Sequence, residues 1–308
     1  VTNKGRLYAS GLLIAGSGVT GAVAVVCQGS KAFVAGLTIG SGAGSSNTVY
    51  VVDTNSLLDL KNAALTLGDG VSVSNRLVID RGGTVDNGGG LTFYTNNSLF
   101  LWGGTLAVAG GTYNGGTFVV GDGTQSAMLK CLAGAAAQVW KCGLLITNNA
   151  TLRGNGTVGG ASLGVIITNG ATFSPGVSGP GTLTIGGSNL TWCPGGTYSC
   201  LITDLNQGEG VGWPVLNVSS QLNLATTAPA LQVLRVLLGR GVAAAELVGP
   251  VGVDEAGAAA QGDQAGHVVV DGLEERLLAV LHDRLAPVGV EVVAADEHRH
   301  PHPEPPHV

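Results

Sequence analysis

Thr147 to Ile202 reads TNNATLRGNGTVGGASLGVIITNGATFSPGVSGPGTLTIGGSNLTWCPGGTYSCLI. Three phrases inside it repeat one pattern: Asn149-Ala150-Thr151-Leu152, Gly170-Ala171-Thr172-Phe173 and Gly195-Gly196-Thr197-Tyr198. Each is a small or flexible pair, a Thr, then one large apolar residue. The first two begin 21 residues apart (149 to 170) and the next two 25 (170 to 195). Self-similarity at such an interval is the signature of a stacked repeat.

The physics of one unit follows from its residues. Asn-Gly and Gly-Gly pairs supply positive φ at tight corners. After each corner the residues alternate: in Thr182-Leu183-Thr184-Ile185, Leu and Ile point one way and both Thr the other, as in a half-buried strand. Leu190 and Trp192 alternate likewise, as do Tyr198, Cys200 and Ile202. A strand this short cannot bury its apolar side alone. Coils stacked in register, about 4.8 Å apart, can. The predicted fold is all-β, a right-handed parallel β-helix. Its core should include Leu183, Ile185, Leu190, Trp192 and Ile202, stacked on Leu152, Ile166 and Phe173 of earlier coils.

The N-terminal part carries a second phrase, an apolar triplet closed by Gly: Leu37-Thr38-Ile39-Gly40, Leu65-Thr66-Leu67-Gly68 and Phe118-Val119-Val120-Gly121. After each Gly comes a loose turn and a strand, over Asn47–Val52, Asn75–Ile79 and Ala127–Leu132. Asn47 and Asn75 lie 28 apart, so phrase and strand repeat together. The third triplet follows at 53, about two units on (Gly68 to Gly121). A Gly-Gly-Thr corner recurs at Gly82, Gly103, Gly110 and Gly115.

LRGNGTVGG, NGATFSPGVSGPGTLTIGG and SNLTWCPGGTYSCLITDLN together resemble the passenger-associated repeat of bacterial autotransporter passengers and related surface proteins. That pattern runs through a G-x-G-T-V step, an N-G-A-T-[FL]-x-P-G corner, a P-G-T-L-T-[IV] strand and a G-[GS]-T-Y strand end. The match covers Leu144 to Leu224. The resemblance implies a β-helix exported to the cell surface or beyond. It is specific for architecture and poorly specific for activity. No amphipathic barrel strands follow, so an outer-membrane translocator is not expected in this stretch.

Composition agrees with a solenoid. Charged residues make up 11% of the 308, against roughly 25% in typical soluble proteins. Gly accounts for 52. Interleaved Val, Ile, Leu and Phe can still bury a core. The chain opens at Val1 without Met or a charged leader, so it reads as a fragment, and a missing signal peptide says nothing about compartment. No stretch reaches membrane-spanning length without Gly or polar interruption.

At Thr227 the composition breaks. Residues 228–308 contain no Ser, Thr, Asn, Lys, Ile, Met, Phe, Tyr, Trp or Cys. The ten types present can each be encoded by a codon beginning with G or C; the ten missing types cannot. A folded domain has no physical reason to obey that rule. A GC-rich gene read in the wrong frame or on the opposite strand does. The division is therefore 1–227, β-helix repeats, and 228–308, a compositionally foreign tail from a misread or fused segment, not natively folded. Such a tail is expected to form at most local helices over Leu231–Leu238 and Leu273–Leu285. The alternative is a genuine acidic appendage: 5 basic and 12 acidic residues, against 9 and 8 in 1–227.

Several motifs carry chemistry on paper. Gly16-Ser17-Gly18-Val19-Thr20-Gly21 matches a dinucleotide fingerprint, but Ala-Val-Ala-Val-Val follows where a helix is required, and the first acidic residue is Asp53. Gly160-Ala161-Ser162-Leu163-Gly164 matches a nucleophile elbow, which needs a His base. All six His lie at 267 or beyond, so Ser162 reads as a turn residue. His298, His300, His302 and His307, with Asp296 and Glu297, form at best a loose chelator. Cysteine spacing allows Cys131–Cys142 and Cys193–Cys200 pairs. No CxxC zinc spacing occurs, and inward thiols packing as small apolar groups is the simpler reading. No catalytic, cofactor or metal residue is assigned.

Two function classes remain. One is a non-catalytic structural or adhesive rod of a bacterial surface or secreted protein, whose partner would be surface carbohydrate or another cell-surface component. The other is a polysaccharide lyase or glycoside hydrolase, which needs clustered carboxylates, or Ca²⁺ with a basic residue. Its candidates are Asp53, Asp59, Asp69, Asp80, Asp86 and Asp122, with Arg76 and Arg81. Clustering of Asp53, Asp80, Arg76 and Arg81 in an open groove would favour the enzyme, and scattering the rod. A near-neutral β-helix without a basic stripe gives nucleic-acid binding no support.

Overall fold

Glycine and asparagine corners cut the chain into short strands, and from Arg6 to Leu224 each strand pairs in parallel with a strand of the neighbouring coil and not with its immediate successor in sequence. The structure is a computed structural model. It describes residues 1–113, 117–132, 138–140, 143–159, 164–187, 189–204 and 207–224, together with strands at 233–238, 245–247, 266–271 and 290–295. Among the described residues there is no α-helix.

Three stacks of parallel strands run up the molecule. The first arm holds β1 (Arg6–Ala9), β4 (Lys31–Val34), β7 (Leu57–Asp59), β10 (Gly83–Phe93), β12 (Gly104–Tyr113), β14 (Ala127–Cys131), β17 (Ala150–Gly154), β20 (Thr172–Pro175) and β23 (Thr197–Ile202). The second arm holds β2 (Leu12–Ile14), β5 (Leu37–Ile39), β8 (Leu65–Leu67), the later halves of β10 and β12, β15 (Gln138–Trp140), β18 (Gly156–Gly159), β21 (Thr182–Gly186) and β24 (Val215–Val218). The third stack is a separate nine-stranded sheet. It holds β3 (Val23–Val26), β6 (Thr48–Val52), β9 (Arg76–Asp80), β11 (Ser98–Leu101), β13 (Phe118–Val120), β16 (Leu144–Ile146), β19 (Val165–Ile167), β22 (Leu190–Trp192) and β25 (Leu222–Leu224). The fold is a parallel β-helix.

Alternation fills the interior with continuous columns. In the third sheet Val26, Val51, Ile79, Leu101, Val120, Ile146, Ile167 and Trp192 stand rung on rung, all buried. In the first arm Leu58, Val85, Leu106, Leu129, Leu152 and Phe173 do the same. Each such side chain contributes about 1.5–3 kcal/mol of burial. Trp192 sits inside with its indole N–H donating to the Gly196 carbonyl at 3.1 Å, so its polar atom carries no desolvation penalty.

The corner phrase stacks as its spacing predicts: Thr151 faces Thr172 and Thr172 faces Thr197, while Leu152 faces Phe173 and Phe173 faces Tyr198. Leu183, Ile185, Leu190, Trp192 and Ile202 are buried, as are Leu152 and Phe173. Ile166 is a correction. It points outward between Leu145 and Thr191, and its neighbours Val165 and Ile167 enter the core.

The second phrase needs a similar correction. Leu37–Ile39 and Leu65–Leu67 are stacked in the second arm, but Phe118–Val120 belongs to the third sheet. Its counterpart on their column is Leu91-Thr92-Phe93. Likewise Thr48–Val52 and Arg76–Asp80 lie in the third sheet and Ala127–Cys131 in the first arm. Every side of the coil uses the same apolar-x-apolar grammar, so the phrase marks a strand without marking its side. Of the Gly-Gly-Thr corners, those at Gly82 and Gly103 are true equivalents, with Gly83 facing Gly104 and Thr84 facing Thr105. The one at Gly110 falls within β12, and Gly115 lies outside the described residues.

In the tail, Val233–Leu238 is a strand parallel to β23, where a local helix was expected. Residues 273–285 lie outside the described residues.

Candidate functional site

Three of the four charged residues singled out from the sequence converge at the corner between the third sheet and the first arm. Asp53 follows β6 in the left-handed region, with φ of 72°, and Arg81 follows β9 with φ of 48°. This common corner conformation on successive coils brings the side chains together. Arg81 Nε lies 3.0 Å from Asp53 Oδ1, with the two side chains 59% and 35% exposed. A pair this open to water contributes at most about 1 kcal/mol. Asp80 Oδ1 accepts from the Arg81 backbone N–H at 2.8 Å and from Gln125 Nε2 at 3.0 Å, tying it to a later coil. Arg76 stands at the opposite end of β9, beside Thr48 and Ser98, and does not join them.

The other candidate carboxylates hold turns. Asp69 accepts the backbone N–H groups of Val71 and Ser72 at 3.1 and 2.9 Å, and that of Gly42 one coil earlier. These donors, Ser72 first and Gly42 second, hold its carboxyl at about 2. Asp122 accepts from the backbone N–H groups of Gln125 and Thr124 and from the Thr124 hydroxyl, which lower its pKa. A glycosidase general acid requires the opposite shift, a carboxyl pushed up. Asp59 and Asp86 are register neighbours on the outer surface of the first arm; Asp59 accepts from the Lys61 N–H at 2.8 Å.

Two open grooves flank the N-terminal coils, about 450 and 410 Å³ in volume. The first runs along the junction of the arms beside Leu13, Gly36, Thr38 and Thr66, and neither is lined by Asp53, Asp80, Arg76 or Arg81. The connection at 203–214 is longer than the corners around it, a loop that the sequence reading did not pick out. It is closed by Thr203 N–H donating to the Gly212 carbonyl at 2.8 Å.

Gly16 to Gly21 forms a turn leading into β3, laid on the Ser45 corner of the next coil through reciprocal backbone bonds. Ser162 lies outside the described residues, as do His298, His300, His302 and His307. Among the described residues no three of His, Cys, Asp or Glu gather closely enough to hold a metal ion, and no helix is long and apolar enough to cross a membrane. Cys27, Cys131, Cys193 and Cys200 are free thiols, so Cys193 and Cys200 do not pair; Cys142 lies outside the described residues. Burial pushes the Cys131 and Cys200 thiols up to about 12.

A surface feature that the sequence reading missed lies on the outer side of the third sheet. Val25, Tyr50, Val78, Phe100, Val119, Leu145 and Ile166 point outward on seven consecutive rungs. Trp102 extends the stripe, its ring 5.0 Å from that of Phe100 and its side chain 41% exposed. Val78 is only 4% exposed although it faces out, because Tyr50 and Phe100 shield it on either side. The column turns polar only at Thr191 and Asn223. The chain matches no protein-family model, no curated protein and no solved structure.

Proposed function

We propose that the β-helix is a non-catalytic structural or adhesive rod of a bacterial cell-surface or secreted protein. The observation that carries this reading is the seven-rung apolar stripe outside the third sheet, with Trp102 beside it. An outward-facing apolar stripe of this length, half-buried along most of its rungs and open at Val119 and Trp102, offers a contact face for another macromolecule. On an exported rod, that partner is a cell-surface component, carbohydrate included. The turn-holding roles of Asp69 and Asp122 point the same way, since their charges are committed to the scaffold. The resemblance of residues 144–224 to autotransporter passengers adds the location.

The test is adhesion of beads coated with the purified chain to bacterial cells. Phe100→Asp together with Leu145→Asp should cut adhesion several-fold and leave thermal unfolding unchanged. Unaltered adhesion would sink the reading.

A polysaccharide-cleaving β-helix is the second reading, favoured by the convergence of Asp53, Asp80 and Arg81. It requires depolymerisation of an acidic or neutral polysaccharide that disappears in Asp53→Asn or Asp80→Asn.

A further inference from the structure

The N-terminal end of the first arm carries a charge arrangement that the rod reading leaves unused. Arg6 and Lys31 are register partners on adjacent strands, both directed outward, since Ala32 and Val34 alternate into the core. Neighbouring strands lie about 4.8 Å apart, and like charges directly opposite each other repel. Lys4 adds a third cation from the preceding turn, with Arg6 and Lys31 lining the groove of about 410 Å³. None of the three cations has an ion-pair partner among the described residues. Asp53, next to the groove-lining Thr54, is engaged by Arg81 and by the Gln28 N–H at 3.2 Å. Three unpaired cations around one concavity favour an anion there.

The rest of the groove narrows the ligand's chemistry. Gln28, Thr54 and Asn55 line it with amide and hydroxyl groups. Two residues along the same strands from Arg6 and Lys31 stand Tyr8 and Phe33, about 7 Å away. Their rings stack at 5.0 Å and 10°, and Tyr8 remains 63% exposed, a flat apolar platform. Lys61 Nζ sits 5.0 Å from the Phe33 ring centroid. Cations for an acid group, amides for hydroxyls and an aromatic plane for a C–H face are together what an acidic sugar requires. A long polyanion fits less well, because the column of Arg6 and Lys31 continues as the uncharged Leu57 and Thr84, and the adjoining outward column of Tyr8 and Phe33 continues as Asp59 and Asp86. A phosphate backbone following the axis would meet repulsion after two coils.

We propose that Lys4, Arg6 and Lys31 form a binding site for the carboxylate or sulfate of an acidic sugar, with Tyr8 as its stacking platform. The site goes beyond the rod reading and stands or falls separately from it.

Calorimetric titration of the full chain at low salt tests it. The probes are a hyaluronan hexasaccharide (carboxylates only), a chondroitin 4-sulfate hexasaccharide (both groups), neutral chitohexaose, inorganic sulfate and a hexathymidylate. At least one acidic hexasaccharide should bind, more tightly than the other three probes, and which of the two binds tells carboxylate from sulfate. Arg6→Gln and Lys31→Gln should each weaken that binding about tenfold, the worth of a charge-assisted hydrogen bond. Lys130→Gln, a cation elsewhere on the same arm, should not. Circular dichroism of each variant excludes loss of fold. The proposal is overturned if neither acidic hexasaccharide binds, or if sulfate or hexathymidylate binds as tightly. Equal weakening in Lys130→Gln would overturn it too, by making the attraction a diffuse one.

Discussion

Asn75 donates its Nδ2–H to Asn97 Oδ1 at 2.9 Å, and its backbone N–H reaches the same oxygen at 3.1 Å. Asn47 repeats both bonds onto Asn75, at 2.9 and 3.2 Å, and itself accepts the Ala22 N–H at 2.9 Å. Asn97, at the far end, donates to the carbonyls of Thr95, Tyr94 and Ser72. All three side chains are buried. Stacked amides thus satisfy backbone groups at a corner where the strand ladder stops.

Asn75→Ala removes the acceptor for two Asn47 donors and leaves both buried. Each orphaned donor costs about 1–3 kcal/mol, so the substitution should destabilise by about 2–4 kcal/mol. Urea unfolding measures it. A loss under about 0.5 kcal/mol would mean that water replaces the amide at no cost.

Gly40 explains why the ladder fits. It lies in the left-handed region, with φ of 73°, and a Cβ there would fall on the Asn75 carboxamide. Gly18 has nearly the same φ, 78°, with nothing near its Cβ direction. Gly18→Ala should therefore cost only the backbone strain, about 1–2 kcal/mol. Gly40→Ala should cost distinctly more, because Asn75 must shift and its bonds with it. Equal melting temperatures for the two variants would contradict the clash.

Ile166 and Ile167 are adjacent, and the fold gives them opposite fates. Ile167→Ala opens a hole in the eight-residue interior column and should cost about 2–5 kcal/mol. Ile166→Ala trims the outer stripe and should stay under about 1 kcal/mol. Denaturant midpoints of the two variants decide it; reversed values would put the strand one residue out of register.

That pair also marks the limit of what the sequence discloses. Thr182 to Ile185 alternates in polarity, so the residues alone tell which of them face inward. Val165-Ile166-Ile167 offers three β-branched apolar residues in a row, and no alternation tells in from out. The outer stripe is built largely of such residues, which is why it escaped notice. The equivalence of Asn47 and Asn75 was legible as spacing, but buried amide stacking was not, since Asn beside Gly and Ser reads as a wet turn. In the charged cluster, one-coil spacing brought Asp53 and Asp80 to attention correctly. Arg76 was misplaced because strand β9 itself separates it from Asp80. Arg6 and Lys31 are also about one coil apart, but only the register makes them neighbours.

Thiol chemistry separates the cysteines. Cys131 is fully buried and Cys200 partly so, and burial raises both thiols to about 12. The thiolate is the reactive species, so neither should react at pH 8 in the native state. Cys27 and Cys193 are partly open to solvent. Brief iodoacetamide treatment followed by mass mapping should find label on Cys27 and Cys193 and leave Cys131 and Cys200 unmodified until urea is added. Native labelling of Cys131 would mean that its column opens readily.

Acid sensitivity should centre on Asp69. Its carboxylate holds the Ser72 and Val71 N–H groups of its own turn and the Gly42 N–H of the coil before, fastening two neighbouring coils. Those bonds lower its pKa in the folded chain from 3.8 to about 2. A depressed folded pKa means that the unfolded chain takes up the proton first on acidification. The stabilisation is therefore complete above about pH 4 and disappears as pH falls through about 2. Asp69→Ala removes the titrating group, so wild type and variant should differ in melting temperature at pH 6 and converge towards pH 2. Carbon-detected NMR of the Asp69 carboxyl would give the midpoint directly. A midpoint at or above 3.8 would show that the donors do not hold the charged form, and the fastening of the two coils would then have to be assigned to their strand ladders alone.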